Sequence, residues 1–180
     1  LIRRHLQDHG DYPRGLVVDL WGSATMRTAG EEFAMALHLA GLAPKWDDGS
    51  ARVSGFEILP LAILGRPRID VTLRVSGLFR DVFPTLAQLF EAGAEALSTR
   101  EETAEDNPYT TREARVFGPK PGLYGLGMGT AADTFTDEAR AAAGEAWLNA
   151  SSWAIGPDGQ STEARAALEA RVLSADSFVH

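Results

Sequence analysis

The chain contains no cysteine. A disulfide framework, a thiolate metal site and a cysteine nucleophile are therefore excluded, while His, Asp and Glu remain as conventional metal ligands. No apolar run approaches the ~20 residues of a membrane-spanning helix. The N-terminal Leu1-Ile2-Arg3-Arg4-His5 has neither an apolar signal core nor an initiator methionine. It resembles the middle of a helix, and the ending at Phe178-Val179-His180 is equally abrupt, so the sequence is expected to be a piece cut from a longer protein. Positive charge is scarce, with 17 Lys and Arg against 25 Asp and Glu, a net charge of −8 and a pI of about 5.0. That balance argues against a nucleic-acid surface, which needs a basic face. No solenoid-length repeat is visible.

What is present fits one soluble, cytoplasmic-type domain: 180 residues, 44% of them apolar and 23% charged. Two segments have the branched, apolar composition of buried strands, residues 15–21 and Asp70–Val75. Each runs into a polar, glycine-containing loop and then a helix. The first loop is Trp21 to Gly30, before a helix with Glu31 and Glu32 in its first turn and Gly41 at its end. The second is Ser76 to Pro84, before a helix ending near Leu97. Strand–helix–strand order predicts a parallel pair. The expected fold is α/β: a Rossmann-like open, mostly parallel sheet with flanking helices, an irregular Gly-rich loop and C-terminal helices. One domain is expected over residues 1–180, with its core at 15–98, an acidic surface loop at 99–113, and the Gly-rich loop and C-terminal helices at 114–180. Pro44–Asp47 reads as a short strand, Arg52–Glu57 as an irregular extended segment, Pro60–Leu64 as one helical turn, and Asp137–Asn149 and Ser161 to about Leu173 as helices.

Loops at the carboxyl ends of parallel strands build the binding crevice of such folds. The first loop and the helix start after it offer Trp21, Thr25, Arg27, Thr28 and Glu31; the second offers Ser76, Arg80 and Asp81. Arginine suits bidentate capture of carboxylates, so Arg27 and Arg80 together could clamp a polycarboxylate. The alternative is that Arg80 pairs with Asp81 or a loop carboxylate and merely fixes the turn. Trp21, where strand meets crevice, could stack on a flat ligand. Glu31 has a bland alternative, because acids favour helix starts without any function. In the glycine-rich run from Gly118 to Thr130, Lys120 and backbone N–H groups could hold an anionic group, and Tyr124 lies beside them. The run lacks the preceding strand and the spacing of a dinucleotide fingerprint, and the chain has no Walker A pattern, so a nucleotide-binding domain is the weakest reading. No catalytic residue is assigned. His5 and His9 have metal-compatible spacing but read as exposed terminal residues, and His180 is only a weak metal candidate.

Taken in order, Trp21-Gly22-Ser23-Ala24-Thr25-Met26-Arg27-Thr28-Ala29-Gly30-Glu31, Gly55-Phe56-Glu57-Ile58-Leu59-Pro60-Leu61, Leu64-Gly65-Arg66-Pro67-Arg68-Ile69-Asp70-Val71, Ser76 to Pro84 and Arg115 to Gly125 resemble the large subunit of aerobic cobaltochelatase (CobN). They are more distantly similar to the magnesium-chelatase H subunit. The likeness runs from about Gly15 to Gly129, with a looser tail to His180. It implies a parent enzyme that inserts a divalent metal into a tetrapyrrole: for CobN, cobalt into hydrogenobyrinic acid a,c-diamide in cobalamin biosynthesis. It also implies ATP hydrolysis by AAA+ and integrin-I-domain partner subunits, not by this chain. The arginine-bearing loops then make sense as a rim for an acidic corrinoid. Family members have a longer helical stretch between Asn107-Pro108 and Arg115-Val116-Phe117-Gly118, and they continue beyond Val179-His180. The segment alone is expected to be inactive. Its alternative role is a scaffold or a docking surface for the ATPase partners.

Overall fold

The computed structural model describes residues 1–50, 52–126 and 136–179. In chain order the elements are α1 (Ile2–His9), β1 (Gly15–Leu20), α2 (Gly22–Thr28), α3 (Glu31–Ala40), β2 (Leu42–Trp46), β3 (Val53–Ile58), α4 (Leu61–Leu64), β4 (Asp70–Val75), α5 (Gly77–Val82) and α6 (Pro84–Ser98). A 3-10 turn at Pro108–Thr110 follows, then β5 (Val116–Gly118), α7 (Asp137–Asn149), β6 (Trp153–Ile155), β7 (Ser161–Glu163), α8 (Arg165–Leu173) and β8 (Ser177–Val179). Six strands form one sheet in the order β7-β6-β5-β4-β1-β8. Strands β8, β1, β4 and β5 run parallel, and β6 and β7 add an antiparallel edge. The α/β, mostly parallel architecture expected from sequence is the one found.

The centre of the sheet follows from alternation along its strands, because successive side chains point to opposite faces. In β4, Val71, Leu73 and Val75 face the main core, which they share with Leu16, Val18 and Leu20 of β1 and with residues of α3 and α6 such as Phe33, Leu37 and Phe90. The intervening Asp70, Thr72 and Arg74 hydrogen bond to Arg115, Arg171, Ser151 and Asp19. One side of the sheet is thus apolar. The other carries a buried ionic layer covered by α8, whose Arg171 reaches both Thr72 and Asp70. Removing one member of such a buried pair costs several kcal/mol, ~3–5, because its partner is left charged and dry.

Several sequence expectations need correction. The stretch after Trp21 is not a loop: α2 begins at Gly22, and α3 begins at Glu31 after a left-handed Gly30. Likewise, α5 occupies Gly77–Val82, started by Ser76, whose Oγ accepts from the Phe79 N–H at 3.1 Å. The segment at 52–57 is regular, forming β3 antiparallel to β2. Ser161–Glu163 is a strand, and the last helix starts only at Arg165. Phe117 and Gly118, expected to be irregular, belong to β5. Asp70 is the first residue of β4 and takes ion pairs from Arg115 and Arg171. The acidic segment after Thr99 is more than a surface loop. Asn107 and Tyr109 are fully buried there. Tyr109 Oη accepts from the Val71 N–H and donates to the Ile69 carbonyl. Glu102 grips the buried Arg68 guanidinium through both carboxylate oxygens. Negative charge marked this segment as solvated, but one acid has a buried arginine to satisfy and one tyrosine closes the start of β4.

Candidate functional site

Strands β1 and β4 end side by side, with Asp19 opposite Arg74 and Leu20 opposite Val75. Both chains then turn at once into short helices. The close approach of α2 and α5 depends on Gly22: a Cβ there would lie 2.7 Å from Leu78 Cγ and 2.8 Å from the Phe79 nitrogen. Ser76 Oγ ties the two turns together by accepting from the Gly22 N–H at 3.1 Å as well as from Phe79. The segment after β5 lies over α5, and Gly77 makes room for it. A Cβ at Gly77 would meet the Leu123 carbonyl oxygen at 2.6 Å and Tyr124 Cδ1 at 2.8 Å.

The three segments enclose a cleft of about 210 Å³ at the carboxyl end of the parallel strands, lined by Trp21, Arg74, Ser76, Leu78, Pro119 and Tyr124 among others. Its rim is apolar and open, with Trp21 40%, Leu78 41% and Tyr124 57% exposed. Met26 of α2, Val82 of α5 and Leu123 beside Tyr124 are exposed as well. Large apolar side chains on adjoining elements at a crevice are a common feature of faces that meet a ligand or partner.

The ten sequence candidates divide. Trp21, Ser76 and Tyr124 line the cleft; Arg27, Arg80, Asp81, Thr25, Thr28, Glu31 and Lys120 do not. Thr25 is buried, and its hydroxyl donates to the Trp21 carbonyl. The Thr28 hydroxyl faces the Ala24 carbonyl and Glu32 Oε2. Arg27 and Glu31 are exposed on successive helices. The Lys120 ammonium sits 5.4 Å from the centroid of the Trp153 ring. Arg80 is engaged elsewhere: Nε donates to Asp81 at 2.6 Å, and Nη1 donates to the Pro119 and Lys120 carbonyls at 2.9 and 3.0 Å. Tyr124 Oη donates to the other oxygen of Asp81, and the Arg80 guanidinium lies over the Tyr124 ring. These contacts hold the Asp81 carboxyl below its ordinary range, chiefly through Arg80 and then Tyr124, and the same carboxylate raises the Tyr124 phenol. Together, Arg80, Asp81 and Tyr124 fasten the 119–124 segment to α5.

Sequence reasoning missed Arg74 and Asp19. Both are buried, and their ion pair spans 3.1 Å at the cleft floor. The signal was available: in Asp70-Val71-Thr72-Leu73-Arg74-Val75, polar residues alternate with apolar ones in a strand buried on both faces. A second cavity, about 430 Å³, lies beside α6, Tyr109 and β6, and none of the ten candidates lines it. No cluster of three or more potential metal ligands occurs among the described residues, and His180 lies outside them, as do Gly127–Thr130 of the glycine-rich run. The His5 and His9 rings lie against each other, tilted by 37°, with centroids 4.3 Å apart. No helix among the described residues is long and apolar enough to cross a membrane.

An α/β sheet with a crevice where two adjacent parallel strands turn into helices is a fold class whose ligands sit at such crevices, and the fold alone assigns no function. The particular family is given by the sequence as a whole. Residues 1–180 match the CobN/Magnesium Chelatase family, and the chain belongs to it. It is 42% identical, over its whole length, to the aerobic cobaltochelatase subunit CobN of Pseudomonas aeruginosa, and 34% identical, over 89% of its length, to the magnesium-chelatase H subunit of Rhodobacter capsulatus. Among solved structures it is similar to the catalytic subunit of cobaltochelatase from Mycobacterium tuberculosis, with a TM-score of 0.89 and 32% identity over 98% of the chain. The chain spans 15–16% of the length of these proteins.

Proposed function

We propose that this chain forms one wall of the tetrapyrrole site in the large subunit of a cobaltochelatase. On this reading the parent enzyme inserts cobalt, its substrate metal, into hydrogenobyrinic acid a,c-diamide during cobalamin biosynthesis. It works in the cytoplasm with AAA+ and integrin-I-domain subunits that hydrolyse ATP. The observation that carries the reading is the cleft at the ends of β1 and β4, whose exposed rim of Trp21, Leu78 and Tyr124 offers flat apolar surface to a macrocycle. Metal insertion also requires bases for the macrocycle N–H protons. Those are sought in the rest of the large subunit, since no carboxylate or imidazole is among the described residues that line this cleft, and Asp19 and Asp81 are both engaged by arginine.

Cobalt is favoured over magnesium, and a corrinoid over protoporphyrin IX, by the higher identity to CobN than to the magnesium-chelatase relative. A scaffold role without ligand contact draws support from Arg80, whose guanidinium is spent on the chain's own backbone and Asp81. The two readings separate by titrating the intact large subunit with hydrogenobyrinic acid a,c-diamide and following fluorescence quenching. Replacing Leu78 by Asp puts a charge on the rim, where 41% of the residue is already exposed. The ligand-wall reading expects an affinity loss of about tenfold or more, equivalent to ~1.4 kcal/mol, at unchanged thermal stability. Wild-type affinity in that variant would favour the scaffold.

A further inference from the structure

The floor of the cleft carries a feature that none of the candidate ligand contacts explains. Arg74, on β4, is 2% exposed and lines the cavity. Its Nε donates to Ser151 Oγ at 3.0 Å and its Nη1 to Asp19 Oδ1 at 3.1 Å, which fixes the plane of the guanidinium from two sides. Asp19 turns its other oxygen to the Trp21 indole, accepting from Nε1–H at 3.1 Å. The guanidinium carbon in turn sits 5.1 Å from the centroid of the Trp21 ring. Trp21 is therefore held twice by one buried ion pair: by a cation against its ring and by an acceptor at its N–H. The residue nevertheless remains 40% exposed at the rim. A tryptophan anchored for packing alone has no need of this arrangement, since burial would do the work. Here the ring is fixed while part of its surface is left open.

We propose that Arg74 is a positioning residue: through its ion pair with Asp19 it sets Trp21 as a rigid platform on which the planar part of the tetrapyrrole stacks. This rests on the ligand-wall reading above. A ring ordered before binding loses no rotamer freedom when the ligand arrives, and the guanidinium beside it holds it in that order. Lysine at position 74 would keep the charge near Asp19, but a compact ammonium cannot span Ser151, Asp19 and the indole as the planar fork does. Arg74 thus acts on the ligand through Trp21 and not by contact.

The test is a double-mutant cycle in the intact large subunit with Trp21→Leu, Arg74→Lys and their combination, read as affinity for hydrogenobyrinic acid a,c-diamide and, in parallel, for protoporphyrin IX. Thermal melts accompany each variant. Trp21→Leu is expected to weaken binding by about tenfold, and Arg74→Lys by about three- to tenfold. In the Trp21→Leu background, Arg74→Lys should have no further effect. Asp19→Asn keeps an oxygen for the indole N–H and is expected to fall between wild type and Arg74→Lys. If Arg74→Lys weakens binding equally with and without Trp21, Arg74 acts independently of the indole and the platform is overturned while the ligand wall stands. If Trp21→Leu binds both tetrapyrroles like wild type at intact stability, the platform and the wall fail together.

Discussion

Replacing Gly77 by alanine tests how the cleft is built. The new methyl carbon would start 2.6 Å from the Leu123 carbonyl oxygen and 2.8 Å from Tyr124 Cδ1, against ordinary contact at 3.4 Å and beyond. The segment must therefore move outward by about 0.8 Å or α5 must tilt. Moving α5 would disturb the Ser76 hydrogen bonds to Gly22 and Phe79 and the packing of Phe79, which is fully buried. Moving the segment disturbs Leu123 and Tyr124, both more than half exposed, the hydrogen bond from Tyr124 to Asp81, and the Arg80 contacts to the segment, of which the one to the Lys120 carbonyl lies at the surface. The segment is the part that gives. Overpacking of this kind costs about 1–3 kcal/mol, and release of an exposed segment belongs at the lower end. Urea unfolding of the variant should show a loss of about 1 kcal/mol. Tetrapyrrole affinity of the intact large subunit should fall about tenfold, or ~1.4 kcal/mol, because Tyr124 leaves the rim. A variant with wild-type affinity, or one that unfolds outright, would refute this explanation of the close approach.

Three further outcomes follow from other contacts. Tyr109→Phe leaves the buried Val71 N–H and Ile69 carbonyl without their partner, so it should cost about 2–3 kcal/mol in denaturant unfolding; a loss under ~0.5 kcal/mol would contradict the burial of that hydroxyl. Glu102 is held below the usual carboxylate range by its hydrogen bonds to Arg68, so its folded value lies under its unfolded one. Its stabilisation is present above about pH 4.5 and lost as pH falls through the folded value. The stability gap between wild type and Glu102→Gln, about 1–3 kcal/mol at pH 7, should therefore close on acidification, and a gap that widens below pH 4 would contradict the sign. Arg80→Ala frees the Pro119 and Lys120 carbonyls and should weaken tetrapyrrole binding by loosening the rim, with proteolysis near Lys120 accelerated; unchanged cleavage would remove Arg80 from that fastening role.

Much of the fold was legible because its central strands obey simple patterns. Residues 15–21 and Asp70–Val75 are apolar or alternating runs, and the strands found are Gly15–Leu20, one residue shorter, and Asp70–Val75. The short outer strands were not legible. β6, β7 and β8 are three residues each, too brief for any periodicity, and they pair only because the sheet offers an edge. Helices α2 and α5 were hidden by glycine and serine, which read as loop but here permit close approach and capping. At the site, Trp21 was found as an aromatic where a strand meets the crevice, and Tyr124 from its place in the glycine-rich run. Arg74 was not, because a charged residue in a buried strand has meaning only once Asp19 is seen on its neighbour. The arginine clamp expected from Arg27 and Arg80 is not assembled around the cleft, since neither lines it. Spacing along the chain could not reveal that Arg80 reaches the carbonyls of residues 39 and 40 positions away.

The central claim is that the crevice at the ends of β1 and β4 receives the macrocycle. A structure of the intact large subunit with hydrogenobyrinic acid a,c-diamide bound tests it most directly. The ring is predicted to lie in van der Waals contact with Trp21, Leu78 and Tyr124, with the Asp19–Arg74 pair unbroken beneath the indole. A macrocycle bound elsewhere in the protein, with this crevice filled by another part of the chain, would contradict it.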